Sequence, residues 1–299
     1  MDGKWQQGAS WGSAPRHKAT VEGEAVIGGT LAELLARSPR VLPPVTYHRQ
    51  HWYPVEGIPS HYPYGRWPSV TTVLSATVPK PALVPWAKGV ALGNMRMVLL
   101  ETDLGATVLA GKFDPEWVDR LIEAARRRPD EVRDEAADFG TRTHQAISAW
   151  VKGGPEPEEG SELRPPFVAF RAWLSDGRWG IVASELPVFH LEEGYAGTID
   201  LLLKSSENDE WAVLDIKTSK GIYPEMGLQV AAYGAAVQEM LGLSAKTMEG
   251  FVLRLPKAAP EAGEPPFELR QVGSMAAVFQ GFHACMELWK VLREEMWAP

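Results

Sequence analysis

The chain has 299 residues, 45% hydrophobic and 23% charged, enough for one large domain or two small ones. Its formal net charge of −8 argues against a protein that coats nucleic acid through overall charge, and its single cysteine, Cys285, excludes a disulfide framework within the chain and any site needing several thiolates. Such cysteine usage suits a reducing cytosol; there is no membrane-length apolar run, and "MDGKWQQGAS" lacks the layout of a signal peptide, so a cytoplasmic location is the expectation.

Residues 1–65 read as an extended N-terminal arm. "ASWGSAPRHK" is rich in turn formers, and "VLPPVTYHRQHWYPVEGIPSHYPYGRWPS" is dense in Pro, His and aromatic residues. A short helix, "GGTLAELLARS", interrupts the arm. The start of "AVIGGTLAELL" lacks the full glycine fingerprint of a phosphate loop and reads as an ordinary cap.

Residues 66–299 read as one domain, with a helical part over 66–180 and a β-rich core over 181–299. "PSVTTVLSAT" opens a short helix, and "KPALVPWAKGVALGNMRMVLLE" a longer one, bent near Pro85. "DPEWVDRLIEAARRR" starts with an Asp cap and a Pro at the first helical position. "PDEVRDEAADFGTRTHQAISAWVKG" reads as a separate helix ended by Gly-Gly-Pro. Arg126, Arg127 and Arg128 fit a solvated helix end, with a phosphate contact as the alternative. A linker, "GGPEPEEGSELRPP", leads into the helix "FVAFRAWLSDGRWG". Strands follow at "IVASELPVFH", "YAGTIDLLLK" and "WAVLDIKTSK", then the helix "PEMGLQVAAYGAAVQEMLGL", strands "GFVLRLPK" and "FELRQV", and a last helix from Ser274.

An aspartate sits inside each of two consecutive strands, at Asp200 and Asp215. If Lys204 faces Trp211 across the polar loop, antiparallel pairing sets Asp200 opposite Asp215. Opposed residues have Cβ atoms roughly 5 Å apart, and like charges there are destabilising. A divalent cation shared by the two carboxylates removes the conflict. Asp215 and Lys217 are two apart and share a face, while Leu214 and Ile216 point into the core. Asp, Asp and Lys together suit metal-assisted phosphodiester hydrolysis, in which the ion lowers the pKa of bound water and the lysine stabilises charge on the phosphate. A surface salt bridge between Asp215 and Lys217 is the plain alternative. Gln229 and Tyr233 share one helical face. His144 lies in a helix, where a satisfied polar residue near the core is the plain alternative. Glu185 is a lone acid at a strand entry, with a solvated strand end as its alternative.

In combination and order, "GTRTH", "SELPVF", "GTID", "VLDIKTS" and "QVAAY" resemble the PD-(D/E)XK nuclease superfamily, specifically its RecB-like exonuclease branch. "WPSVTTVLSATVPKPALVPWAKG" is similar to the leading segment of mitochondrial genome maintenance exonucleases and related phage nucleases. The resemblance covers residues 66–290. It implies an α/β fold with a restriction-endonuclease-like core, a mixed central sheet flanked by helices. It implies that His144, Asp200 and Asp215 hold Mg²⁺ or Mn²⁺ with the carbonyl of Ile216, and that Lys217 is the catalytic lysine beside Asp200 and Asp215. It implies that Gln229 and Tyr233 help to place the nucleic-acid strand, and that Glu185 matches an acid of less settled role. It also implies that helices within 82–150 line a channel for that strand. Relatives that bind an iron–sulfur cluster use four cysteines, so Cys285 alone excludes one here. The family's first aspartate often follows proline; here it follows Ile199, as in the RecB-like branch.

The expectation is a metal-dependent deoxyribonuclease acting as an exonuclease on single-stranded DNA. The chain carries no Walker A motif, so a loading protein or helicase would be another chain. The rivals are a structure-specific endonuclease on the same core, a non-catalytic DNA-binding subunit, and a nucleotide-binding strand at "AVLDI". The last lacks its glycine fingerprint.

Overall fold

The computed structural model describes residues 25–26, 29–30, 35–36, 38–62, 65–101, 115–243, 248–261 and 263–295. The chain divides into two compact units, one of Met1–Val78 with Arg142–Pro299, the other of Pro79–Thr141.

The first unit is mixed α/β. Its centre is a five-stranded sheet of β6 (Trp179–His190), β7 (Tyr195–Ser205), β8 (Trp211–Lys217), β9 (Met248–Arg254) and β10 (Glu268–Gln271), in the order β10-β9-β8-β7-β6. Only β8 and β9 run parallel. That parallel step needs a crossover, and α5 (Pro224–Leu241) supplies it. α5 ends at Gly242, whose φ of 61° is the left-handed conformation a helix cap favours. Leu201, Leu202 and Leu203 are all buried, because β7 has helices against both of its faces. On one face Leu202, Trp211 and Val213 join a cluster with α1 (Val70–Thr77), α5 and α6 (Met275–Lys290). On the other, Leu201, Leu203, Leu214 and Ile216 meet Phe167, Phe170 and Trp173 of α4 (Arg164–Leu174) and Ile147 of α3 (Pro115–Val151). Each fully buried aliphatic or aromatic side chain contributes about 1.5–3 kcal/mol, so both layers are needed.

Residues 45–68 depart from the expectation of an extended arm. β3 (Val45–Tyr47), β4 (Gln50–Tyr53) and β5 (Trp67–Pro68) form an antiparallel sheet. Trp52, Tyr53, Val55, Tyr62 and Trp67 enter the main core. The domain therefore does not begin at residue 66. The Pro and aromatic density that suggested a loose arm reflects short strands closing over apolar surface, where aromatic rings bury large areas and prolines make the corners. The expected turn-rich segment at 9–18 and most of the helix over 28–38, with its cap, lie outside the described residues. Two short strands, β1 (Ala25–Val26) and β2 (Gly29–Thr30), pair with each other.

In α1 the expected Pro-Ser entry is seen: the Ser69 side chain caps the helix by accepting the backbone N–H of Thr72 at 2.9 Å. The second unit contains α2 (Leu83–Glu101), with Pro85 in its first turn, and α3 as far as Thr141. The expected cap at residue 114 lies outside the described residues. The two helices expected to meet at Pro129 are one helix of 37 residues. The proline removes one helical hydrogen bond, and Arg126–Glu123, Arg128–Glu131, Arg128–Glu135 and Arg133–Asp130 pairs at 2.8–3.2 Å brace the turns around it. The three arginines thus lie within a helix rather than at its end, with Arg126 and Arg128 paired to acids on neighbouring turns. Among the described residues no helix is long and apolar enough to cross a membrane.

Candidate active site

Lys204 pairs with Trp211 as expected, and the β7–β8 ladder runs from there to Leu201–Leu214. It stops one pair short of the aspartates. The Asp200 carboxylate takes over at that point: Oδ2 accepts the Ile216 N–H at 2.6 Å. Oδ1 lies 2.9 Å from Nδ1 of His144. On the other side of β7, pairing skips Glu185 and Asp200 between Ser184–Leu201 and Leu186–Ile199. In the continued register Glu185, Asp200 and Asp215 stand in one row across β6, β7 and β8. Neighbours in such a row have Cβ atoms roughly 5 Å apart.

Three acids in a row repel, and the surrounding cations answer each differently. His144 pairs with Asp200. Burial works hardest against the imidazolium, but the charge and hydrogen bond of Asp200 outweigh it and hold the pKa of His144 up to about 9. Lys217 pairs with Asp215, its Nζ 2.5 Å from Oδ2. Asp215 is itself buried, so this ion pair is largely shielded from water. Burial is the main reason the Asp215 pKa is pushed up to about 6; Lys217 opposes the shift and Asp200 adds to it. Burial also raises the pKa of Glu185, with Asp200 adding and His144 and Lys152 opposing. Lys217 is raised: burial favours the neutral amine, but Asp215 and Asp200 together retain the proton.

The backbone at Glu185 has a φ of 52°, inside the left-handed region that a residue with a side chain adopts at a cost. A value of this kind within a strand turns the side chain off the normal pleat, and such strain concentrates at functional sites. Ser148, one helical turn after His144, bonds to Ser184 at 3.1 Å and ties α3 to β6 beside this point.

Ligand atoms of His144, Glu185 and Asp200 lie within 4.8 Å of one another, so these residues could hold a metal ion. The set differs from the expected one: Glu185 joins His144 and Asp200, while Asp215 turns to Lys217. Ile216 meets the site through its N–H to Asp200. An imidazole with carboxylates is a donor set that suits a divalent cation, and Asp215, ion-paired to Lys217, stands next in the same row.

Gln229 donates to the Tyr233 hydroxyl at 3.2 Å. Tyr233 is 5% exposed and its ring lies in the core. A Cβ at Gly197 would come within 2.4 Å of the Tyr233 Cε1, so the glycine of "GTID" makes room for this ring. The phenol's pKa is raised well above its ordinary value by burial first, and then by Tyr53, Asp215 and Asp200. Tyr233 is therefore a packing residue whose hydroxyl feels the acid row.

Tyr53 went unnoticed in the sequence. Its hydroxyl is 3.0 Å from Oγ1 of Thr198, on the same face of β7 as Asp200, and Glu185 raises its pKa after burial. Tyr53 is far from the motifs in the chain, and no spacing rule could have linked it to them. No protein-family model matches the chain, and no curated protein matches it significantly.

Proposed function

We propose that this chain is a divalent-metal-dependent deoxyribonuclease with a restriction-endonuclease-like core of the PD-(D/E)XK type, acting as an exonuclease on single-stranded DNA. The observation that carries the reading is the row of Glu185, Asp200 and Asp215 with His144 and Lys217 at its sides. Three acids in a line, with Asp215 buried, are costly as a structural device. It is useful where a cation is to be held against a phosphodiester.

His144, Glu185 and Asp200 would hold the ion, with Asp215 adjoining. When bound, the ion supplies a water of lowered pKa and polarises a phosphoryl oxygen. The chain's own residues do the rest. The Ile216 N–H fixes the rotamer of Asp200, and Asp215 keeps Lys217 protonated for contact with the phosphate. Gln229, half-buried at the edge of the row, offers its amide to the strand, and the buried Tyr233 hydroxyl orients that amide. The imidazole favours Mn²⁺ over Mg²⁺ more than an all-oxygen set would.

The test is cleavage of end-labelled linear single-stranded DNA and of a single-stranded circle, with Mn²⁺, Mg²⁺ or a chelator. Release of mononucleotides or short products from the linear strand alone, dependent on metal, is expected. Cutting of the circle would reassign the activity to an endonuclease. No metal-dependent cleavage of either would overturn the reading.

A further inference from the structure

The small sheet of β3, β4 and β5 lies outside the motifs, yet it reaches the acid row. In the continued β7–β8 register Thr198 stands opposite Lys217, one step beyond Asp200–Asp215. The Tyr53 hydroxyl is bonded to Thr198. β4 is held firmly behind this contact. Trp52 is fully buried, and the His51 carbonyl accepts both the Ser69 N–H and the Thr72 hydroxyl at 3.1 Å.

His51 is two residues before Tyr53, so the two share a face about 7 Å apart along the strand. The His51 side chain is exposed, and its Nδ1 bonds to Oγ1 of Thr46 on the neighbouring strand at 3.0 Å. The Thr46 contact occupies Nδ1, so Nε2 is the ring nitrogen that His51 would offer to a ligand. The hairpin tip follows. His48 and Arg49 have φ of 49° and 64°, a pair of left-handed residues in a turn where Asn and Gly are usual. An imidazole and a guanidinium are thereby kept at an exposed tip where smaller residues would fit the backbone better.

The charge of this region also runs against that of the chain. Residues 38–68 contain Arg40, Arg49, Arg66 and three histidines against one acid, Glu56, in a chain of net charge −8. Glu56 pairs with Arg40 at 3.8 Å. Arg66 donates to the Tyr47 hydroxyl at 3.2 Å, with its guanidinium over the Tyr47 ring.

We infer that this hairpin is a subsite for the sugar–phosphate backbone next to the scissile position, with Tyr53 anchoring β4 beside the site, His51 donating to the adjacent phosphate and the His48–Arg49 tip contacting the one beyond. The inference rests on the proposed nuclease reading, and it names where the strand lies. Tyr53 is a positioning residue, acting through Thr198; His51 and the tip touch the nucleic acid.

Binding and cleavage separate the two readings. The full-length protein in chelator is titrated into a fluorescent single-stranded oligonucleotide at several salt concentrations. His51→Ala and His48→Ala/Arg49→Ala each weaken binding about fivefold to tenfold, and the salt dependence flattens by roughly one phosphate contact in the double variant, which loses the Arg49 cation. With Mn²⁺, the ratio of kcat/KM on the oligonucleotide to kcat/KM on bis(p-nitrophenyl) phosphate, which reaches the scissile position alone, falls by a similar factor. Tyr53→Phe lowers the same ratio and keeps the thermal midpoint of unfolding. Oligonucleotide affinity and salt slope unchanged in both alanine variants would overturn the subsite, as would absence of oligonucleotide binding by the unmodified protein. Absence of cleavage with oligonucleotide binding intact, and weakened in the variants, would instead sink the nuclease reading and leave the subsite standing.

Discussion

Two neighbouring rows of the central sheet differ in every respect but their geometry. Ala183, Leu202 and Val213 stand side by side on β6, β7 and β8, each paired with its neighbour across the strands. Two residues along, on the same face, Glu185, Asp200 and Asp215 occupy the equivalent places, and there the pairing lapses on both sides of β7. The first row is a hydrophobic contact that the ladder holds in place. In the second the side chains replace the ladder: Asp200 accepts the Ile216 N–H, His144 approaches from α3, and Lys217 neutralises Asp215. A sheet can carry charge of one sign across three strands where the backbone lets go and cations come in from the sides. The site lies where the regular structure ends.

The largest effect is expected from breaking the acid row. Asp215→Asn and Lys217→Ala should each lower metal-dependent cleavage by roughly a thousandfold or more, equivalent to losing about 4 kcal/mol of transition-state stabilisation. Asp215→Asn keeps the shape of the side chain, so its circular dichroism should match that of the unmodified protein. Cleavage within tenfold of normal in either variant would contradict the role given to this row.

A second change tests how the row is supported. Gly197→Ala drives a methyl into the Tyr233 ring, with the nearest ring carbon at 2.4 Å. The ring is buried and has nowhere to move, so overpacking should destabilise the fold by about 1–3 kcal/mol in urea denaturation. Gly227→Ala, on the same helix as Tyr233, meets no atom within 4 Å and is the matched control. Equal midpoints for the two variants would remove the claim that Gly197 is set by Tyr233.

The third test is pH. His144 is raised from 6.5 to about 9 by Asp200 in the folded protein. A raised histidine contributes fully below its unfolded value, and its contribution is lost as pH rises through the folded value. The metal-free protein should therefore lose stability between pH 6.5 and about 9, and His144→Gln should flatten that slope. Asp215 acts in a separate, more acidic window, from 3.8 to about 6, where ionisation of the buried carboxyl also costs stability. A thermal midpoint that is flat from pH 6.5 to 9 would show that the His144–Asp200 pair carries no net energy.

The smallest effect belongs to the loop end of the same hairpin. Lys204 lies over the Trp211 ring at 4.9 Å and pairs with Asp209. Lys204→Ala should cost about 1 kcal/mol, since the ion pair ends on an exposed aspartate and the cation–π contact over the buried Trp211 ring is a single weak one. Cleavage should be unchanged. A large loss of activity there would mean that the two ends of the hairpin are coupled.

Much of this was legible in the chain. The polar loop between two apolar runs suggests the Lys204–Trp211 register, but β7 and β8 are buried on both faces, so no alternation fixes it and the ladder itself decides. That register brings Asp200 to Asp215, and the D-x-K spacing sets Lys217 on the same face. The helix after β8 with its Gln229 and Tyr233 could also be read, since a four-residue spacing makes one helical face. Other features depend on contacts between segments far apart in sequence. Glu185 joins the row because β6 packs on the far side of β7, and its left-handed backbone cannot be inferred from a lone glutamate. Pro129 looked like a helix boundary because local rules count the lost hydrogen bond and not the ion pairs on adjacent turns. The residues before 68 looked loose because short strands rich in proline have little local pattern; their order comes from rings such as Trp52 and Tyr53 finding the core. Local periodicity states which way a side chain points, and only the packing of distant segments states what it points at.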